Sequence, residues 1–307
     1  MLYLQSILKI KKLIIKKLFV VGPYFKSFSI PYLWGCKCLN VIITKSILKN
    51  YRKKELNTVS EILSLSLIPE TQHGKFLDEY LLNNTWNLWR MRHLESAQDF
   101  NKICTITNLS KVDEAIHNGM KIIFLYPHDF MVHLHSSFMI FGIKKDFVSL
   151  GNITDEKFLK LNNQNDLPDF VRKEPLKYKA IVRKNQIRKM LDILNSPNAG
   201  IINYFFDGQE GKNFLTGKIG NLKYRLSKDL TRLIRPEIVF YPVMTEIKPS
   251  GKIEITINDK ISYNSIEDLI KNILAYYESN FLINLPRLNH YMINQILKNH
   301  YAIENNL

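Results

Sequence analysis

Apolar residues in the middle of this chain fall into short blocks of two kinds. Residues 121–126 (KIIFLY) and 201–206 (IINYFF) are compact runs rich in Ile, Phe and Tyr, and their length and composition predict buried strands rather than helices. Residues 103–106, 147–150, 238–244 and 252–257 predict further strands. Between these blocks apolar positions recur at helical spacing. Ser110-Lys111-Val112-Asp113 opens a helix ending near Gly119, and residues 187–194 and 222–234 predict two more. After Pro127, the positions Phe130, Met131, Leu134, Phe138, Met139 and Phe141 predict a helix apolar on most sides, hence buried. Thr58-Val59-Ser60-Glu61 has capping-box spacing and predicts a helix start. A longer helical pattern covers about 75–93, and two helices, 266–282 and 289–300, close the chain. Residues 151–184 are polar and predict irregular structure. Helices and strands alternating in this way predict an α/β fold: a central, mostly parallel sheet flanked by helices. With neither a repeat nor a long linker, residues 56–307 read as a single domain, preceded by a distinct segment, residues 1–55.

That first segment is set apart by charge. Residues 1–54 hold twelve Lys or Arg and no Asp or Glu, in a chain of net charge +15. Lys9, Lys11, Lys12, Lys16 and Lys17 are spread through the apolar residues of 1–21, so no uninterrupted run approaches the ~20 residues that span a bilayer. Nor does the charge precede a single apolar block, as in a secretory signal. The pattern predicts a basic amphipathic helix lying in a membrane interface. The aromatics Tyr24, Phe25, Phe28, Tyr32 and Trp34 follow at positions suited to headgroup level. Interleaved aromatic and aliphatic residues favour a membrane over nucleic acid as the anionic partner. Composition adds two limits: a hydrophobic content of 46% excludes wholesale disorder, and three cysteines make no disulfide framework.

Candidate chemistry gathers where predicted strands end. Ligands of open α/β sheets bind outside the carboxyl ends of the strands. His128 and Asp129 stand just after the 121–126 strand, and Asp207 and Glu210 just after the 201–206 strand. An imidazole there is a general-base candidate, and a carboxylate beside it would fix its tautomer. Asp207 is the first choice for that partner, ahead of Glu210 and Asp129. Lys212, Lys218, Lys223 and Arg225 follow as candidate grips for phosphate groups. His133 and His135 add imidazoles, but two residues apart on a helix they point to different sides, so no metal site is expected. No GxSxG elbow occurs, which argues against an ordinary serine hydrolase.

Two blocks, the apolar strand ending at His128 and the stretch 201–245 with Asp207, Phe214, Gly217 or Gly220 and Pro242, together resemble the lipid A late acyltransferases. These form a branch of the lysophospholipid acyltransferase superfamily, and the likeness covers roughly residues 116–245. It implies a glycerolipid acyltransferase-like fold in which His128 is the base. The reaction implied is transfer of a fatty acyl group from acyl carrier protein or acyl-CoA, as co-substrate, to a hydroxyl of a lipid or glycolipid. No cofactor or metal is implied. The partners are membrane lipids and the acyl carrier, and the place is the cytoplasmic face of a bacterial inner membrane. The family pattern puts an acid five residues beyond the histidine, where this chain has His133, read here as a substrate-side residue. Two other readings stand beside this one: a non-catalytic membrane-binding relative and a histidine-dependent metal hydrolase.

Overall fold

The computed structural model describes residues 53–91, 104–127, 147–150, 178–181, 201–205, 214–247, 253–288 and 290–305, with single positions 101, 143, 188, 192, 194 and 195. The basic segment 1–52, the helix expected after Pro127 and most of the helix expected over 187–194 lie outside the described residues.

Two helices come first, α1 (Lys53–Leu65) and α2 (Glu70–Met91). They are followed by β1 (Cys104–Thr107), α3 (Leu109–His117), β2 (Lys121–Tyr126), β3 (Phe147–Leu150), β4 (Tyr178–Ile181) and β5 (Ile201–Phe205). A hairpin of β6 (Phe214–Ile219) and β7 (Leu222–Ser227) leads through a 3-10 turn, Lys228–Leu233, to β8 (Ile238–Ile247) and β9 (Ile253–Ile257). Helix α4 (Ile266–Asn284), a second 3-10 turn (Leu285–Arg287) and α5 (His290–Glu304) complete the order.

Seven strands form one sheet in the order β1-β9-β8-β2-β5-β3-β4. Every neighbouring pair is parallel except β8–β9. The expected α/β sheet with flanking helices is therefore present. The apolar run of β2 reflects its place: five of its six residues are buried, because both faces of a central parallel strand are covered. Alternate residues serve two cores. Ile123, Leu125, Ile202, Tyr204, Ile238 and Phe240 pack with α1, α4, α5 and the hairpin. Ile122, Phe124, Tyr126, Ile201, Val239 and Tyr241 pack on the other side with Val112 and Ala115 of α3.

Four expectations are corrected. Residues 222–234 form strand β7 and a 3-10 turn, not a helix. Leu222, Tyr224 and Leu226 are buried and their neighbours Lys223 and Arg225 are not, so the operative period is two. Within the stretch expected to be irregular, Tyr178–Ile181 is edge strand β4. Helix α1 starts at Lys53, five residues before the supposed cap Thr58, whose hydroxyl donates to the Lys54 carbonyl at 3.0 Å, one turn back. Similarly, α2 begins at Glu70 rather than near Lys75.

Candidate active site

The strongest structural fact about the proposed site is the pairing of β2 with β5. They are direct neighbours, parallel and in register, with Ile123 opposite Ile202, Phe124 opposite Asn203 and Tyr126 opposite Phe205. Tyr126 is fully buried, and its ring lies 6.1 Å from that of Phe205 and 6.2 Å from that of Phe124. These are the last residues of the two strands, at the carboxyl edge where ligands of such sheets bind. His128 follows Tyr126 by two positions and Asp207 follows Phe205 by two. His128, Asp129, His133, Asp207, Glu210 and Lys212 themselves lie outside the described residues.

Asn203 is the polar residue in β5 that reading IINYFF as one apolar run passed over. It is 1% exposed, and neither its Oδ1 nor its Nδ2 has a hydrogen-bond partner. A buried polar group left unmatched costs about 1–3 kcal/mol. The alternation of β5 sets Asn203 in phase with Ile201 and Phe205, on the α3 side of the sheet.

The candidate phosphate-binding cations Lys218, Lys223 and Arg225 lie on the β6–β7 hairpin. This packs in the opposite core, against α5 and α4. Lys218 and Lys223 are cross-strand partners, like charges side by side. Glu304 at the end of α5 offsets the repulsion. Its carboxylate accepts from Lys223 Nζ at 2.9 Å, and this hydrogen bond, with the positive charges of Lys223 and Lys218, holds the Glu304 carboxyl below its usual range. The backbone N–H of Lys223 also donates to His300 Nδ1 at 3.2 Å. Lys223 thus already has a structural task in seating α5. Arg225 lies over the Phe214 ring, 5.4 Å from its centre, a cation–π contact within the hairpin. Lys218 is exposed.

The hairpin carries a further buried polar contact. Tyr224 crosses Gly217 on the paired strand and reaches Glu278 of α4, to which its hydroxyl donates at 2.8 Å. Burial pushes the Tyr224 phenol far above its ordinary range, and the Glu278 carboxylate adds to the shift. Sequence spacing carries no signal for the Lys223–His300 or Tyr224–Glu278 pairings, whose partners stand 77 and 54 residues apart in the chain.

Among the described residues no group of His, Cys, Asp and Glu is arranged to hold a metal ion, and no helix is long and apolar enough to cross a membrane. Scanned against protein-family models the sequence finds no match, and a search of curated proteins likewise returns none.

Proposed function

We propose that this protein is an acyltransferase working at a membrane surface. It moves a fatty acyl group from acyl carrier protein or acyl-CoA to a hydroxyl of a lipid or glycolipid, an acceptor of the lipid A kind on the cytoplasmic face of a bacterial inner membrane. The observation that carries the reading is the parallel β2–β5 pairing: the two strands end side by side at Tyr126 and Phe205, and in the sequence His128 and Asp207 each follow by two residues. A neutral imidazole and a carboxylate at neighbouring strand ends are the two groups this chemistry needs. The Asp207 carboxylate accepts a hydrogen bond from the ring N–H of His128 and fixes its tautomer. The other nitrogen takes the acceptor hydroxyl's proton as its oxygen attacks the thioester carbonyl. The tetrahedral intermediate then collapses, the C–S bond breaks, and the thiol leaves with the proton that His128 returns. No nucleophile on the enzyme is required. Glu210 and then Asp129 are the next candidates for the orienting acid. Support for a lipid substrate comes from the acid-free basic stretch over residues 1–54.

The test is acyl transfer by folded variants, with folding checked by circular dichroism. His128→Ala is expected to lower turnover at least ~100-fold, the ordinary contribution of a general base. Asp207→Asn is expected to cripple transfer as well, while His133→Ala mainly lowers stability. Near-normal transfer by a folded His128→Ala protein would end the assignment. His133 at the motif's acidic position favours a second reading, a non-catalytic membrane-binding relative of the fold. Absence of transfer by the wild type with any acyl thioester, alongside intact membrane binding, selects that reading.

A further inference from the structure

Asn203 points to a specificity beyond the bare reaction. Its carboxamide is buried in the centre of the sheet, between β2 and β3, with donor and acceptor both unmatched. An apolar residue of the same volume would fill that place without leaving two polar groups unmet, so packing alone gives no reason for an amide there. Its position gives one. Asn203 lies two residues before Phe205, the last residue of β5, hence about 7 Å in from the carboxyl edge. On that face its cross-strand neighbours are Phe124 of β2 and Ser149 of β3, with Ile201 and Phe205 two residues before and after it on β5 and Tyr126 next along from Phe124, so its surroundings toward the edge are largely aromatic. On the acyl-transfer reading the ligand that reaches it is the donor's alkyl chain, and an oxygen carried on that chain would satisfy the amide.

We propose that Asn203 is a specificity-determining residue whose carboxamide hydrogen-bonds a hydroxyl or carbonyl oxygen borne on the donor's acyl chain. The proposal rests on the acyl-transfer reading above. A site built to bond a substrate oxygen discriminates strongly against the analogue lacking it, because the buried polar group is then left unpaired.

The test uses the full-length protein and coenzyme A thioesters of dodecanoate and of its regioisomers hydroxylated at successive carbons. Wild type is expected to favour one regioisomer over the plain chain by at least ~10-fold in kcat/KM. Asn203→Leu is expected to erase that preference while keeping or raising the melting temperature. If the leucine variant does not fold, Asn203→Ala reads the same quantity. A second arm measures thermal stabilisation by the corresponding free acids and needs no chemistry. A wild type blind to the hydroxyl, or a leucine variant that keeps the preference, overturns the proposal and leaves the acyltransfer reading standing. Regioisomer-dependent stabilisation that Asn203→Leu abolishes, in a protein that transfers none of the chains, upholds the binding role while the reaction falls.

Discussion

Glycine at two hairpin positions shows how closely single residues are fitted. Gly220 is the first residue of the two-residue turn joining β6 to β7 and has φ +59, the left-handed region that primed hairpin turns need at this place. A Cβ there would lie 2.8 Å from the Ser66 carbonyl carbon and 2.9 Å from the Leu65 oxygen, both backbone atoms that cannot swing aside. The next residue ties the turn to the same place, Asn221 N–H donating to the Leu65 carbonyl at 2.6 Å. Gly217 is closed off differently, by the Tyr224 hydroxyl 2.1 Å from where a Cβ would be. Gly74 within α2 has nothing within 4 Å and ordinary helical geometry. Two opposite outcomes are expected in urea unfolding. Gly220→Ala destabilises by about 1–3 kcal/mol through overpacking and an unfavourable φ. Gly74→Ala stabilises by about 0.5–1 kcal/mol, the helix-interior difference between the two residues. A neutral Gly220→Ala would mean that the hairpin tip does not seat on the α1–α2 turn.

At the scale of elements, the same short pattern means different things in different places. Ser265 caps α4: its Oγ accepts from the Asp268 N–H at 3.1 Å, and the Asp268 carboxylate accepts from Asn264 N–H at 3.3 Å. Thr58-x-x-Glu61 has the same spacing but falls inside a helix already five residues old, so Thr58 bonds backward to Lys54 instead. Ser265→Ala is therefore expected to cost about 1 kcal/mol, and Thr58→Ala much less, both measured as shifts in the urea midpoint. Equal costs would show that Thr58 contributes as a cap. This contrast also explains what was legible. The runs of β2 and β5 announce themselves because a doubly covered strand must be apolar along its length, and these two runs located the candidate site. β7 was misread because Leu222, Tyr224 and Leu226 sit in a window where periods of two and of 3.6 share several positions. β4 carries lysine at its second position and sits at the sheet edge, where apolar patterning is weakest. Asn203 left no trace because a lone polar residue in a short apolar run changes no period.

For the whole molecule the deciding feature is where the charge lies. Of 43 Lys and Arg, twelve fall in the first 54 residues, with none of the 28 acids, so that stretch supplies twelve of the fifteen net charges. The remainder is close to balanced and has no described helix able to cross a membrane. Any attraction to an anionic bilayer therefore comes mainly from the first segment. Five lysines lie within residues 1–21, and each cation near an anionic surface contributes about 1 kcal/mol at low salt, for a total of roughly 5 kcal/mol. That term is screened as the Debye length shrinks from ~10 Å at 0.1 M salt to ~3 Å at 1 M, whereas burial of the interleaved Leu, Ile and Phe is not. Two measurements separate the contributions. In co-sedimentation with vesicles containing phosphatidylglycerol, the intact chain is expected to bind at low salt and to be partly released at 1 M. A chain lacking residues 1–21 is expected to remain in the supernatant at both. Full pelleting of the truncated chain would move the anchor to the aromatic stretch after Pro23. Binding of the intact chain that ignores salt would assign the anchor to apolar burial alone and remove the lysines from the account.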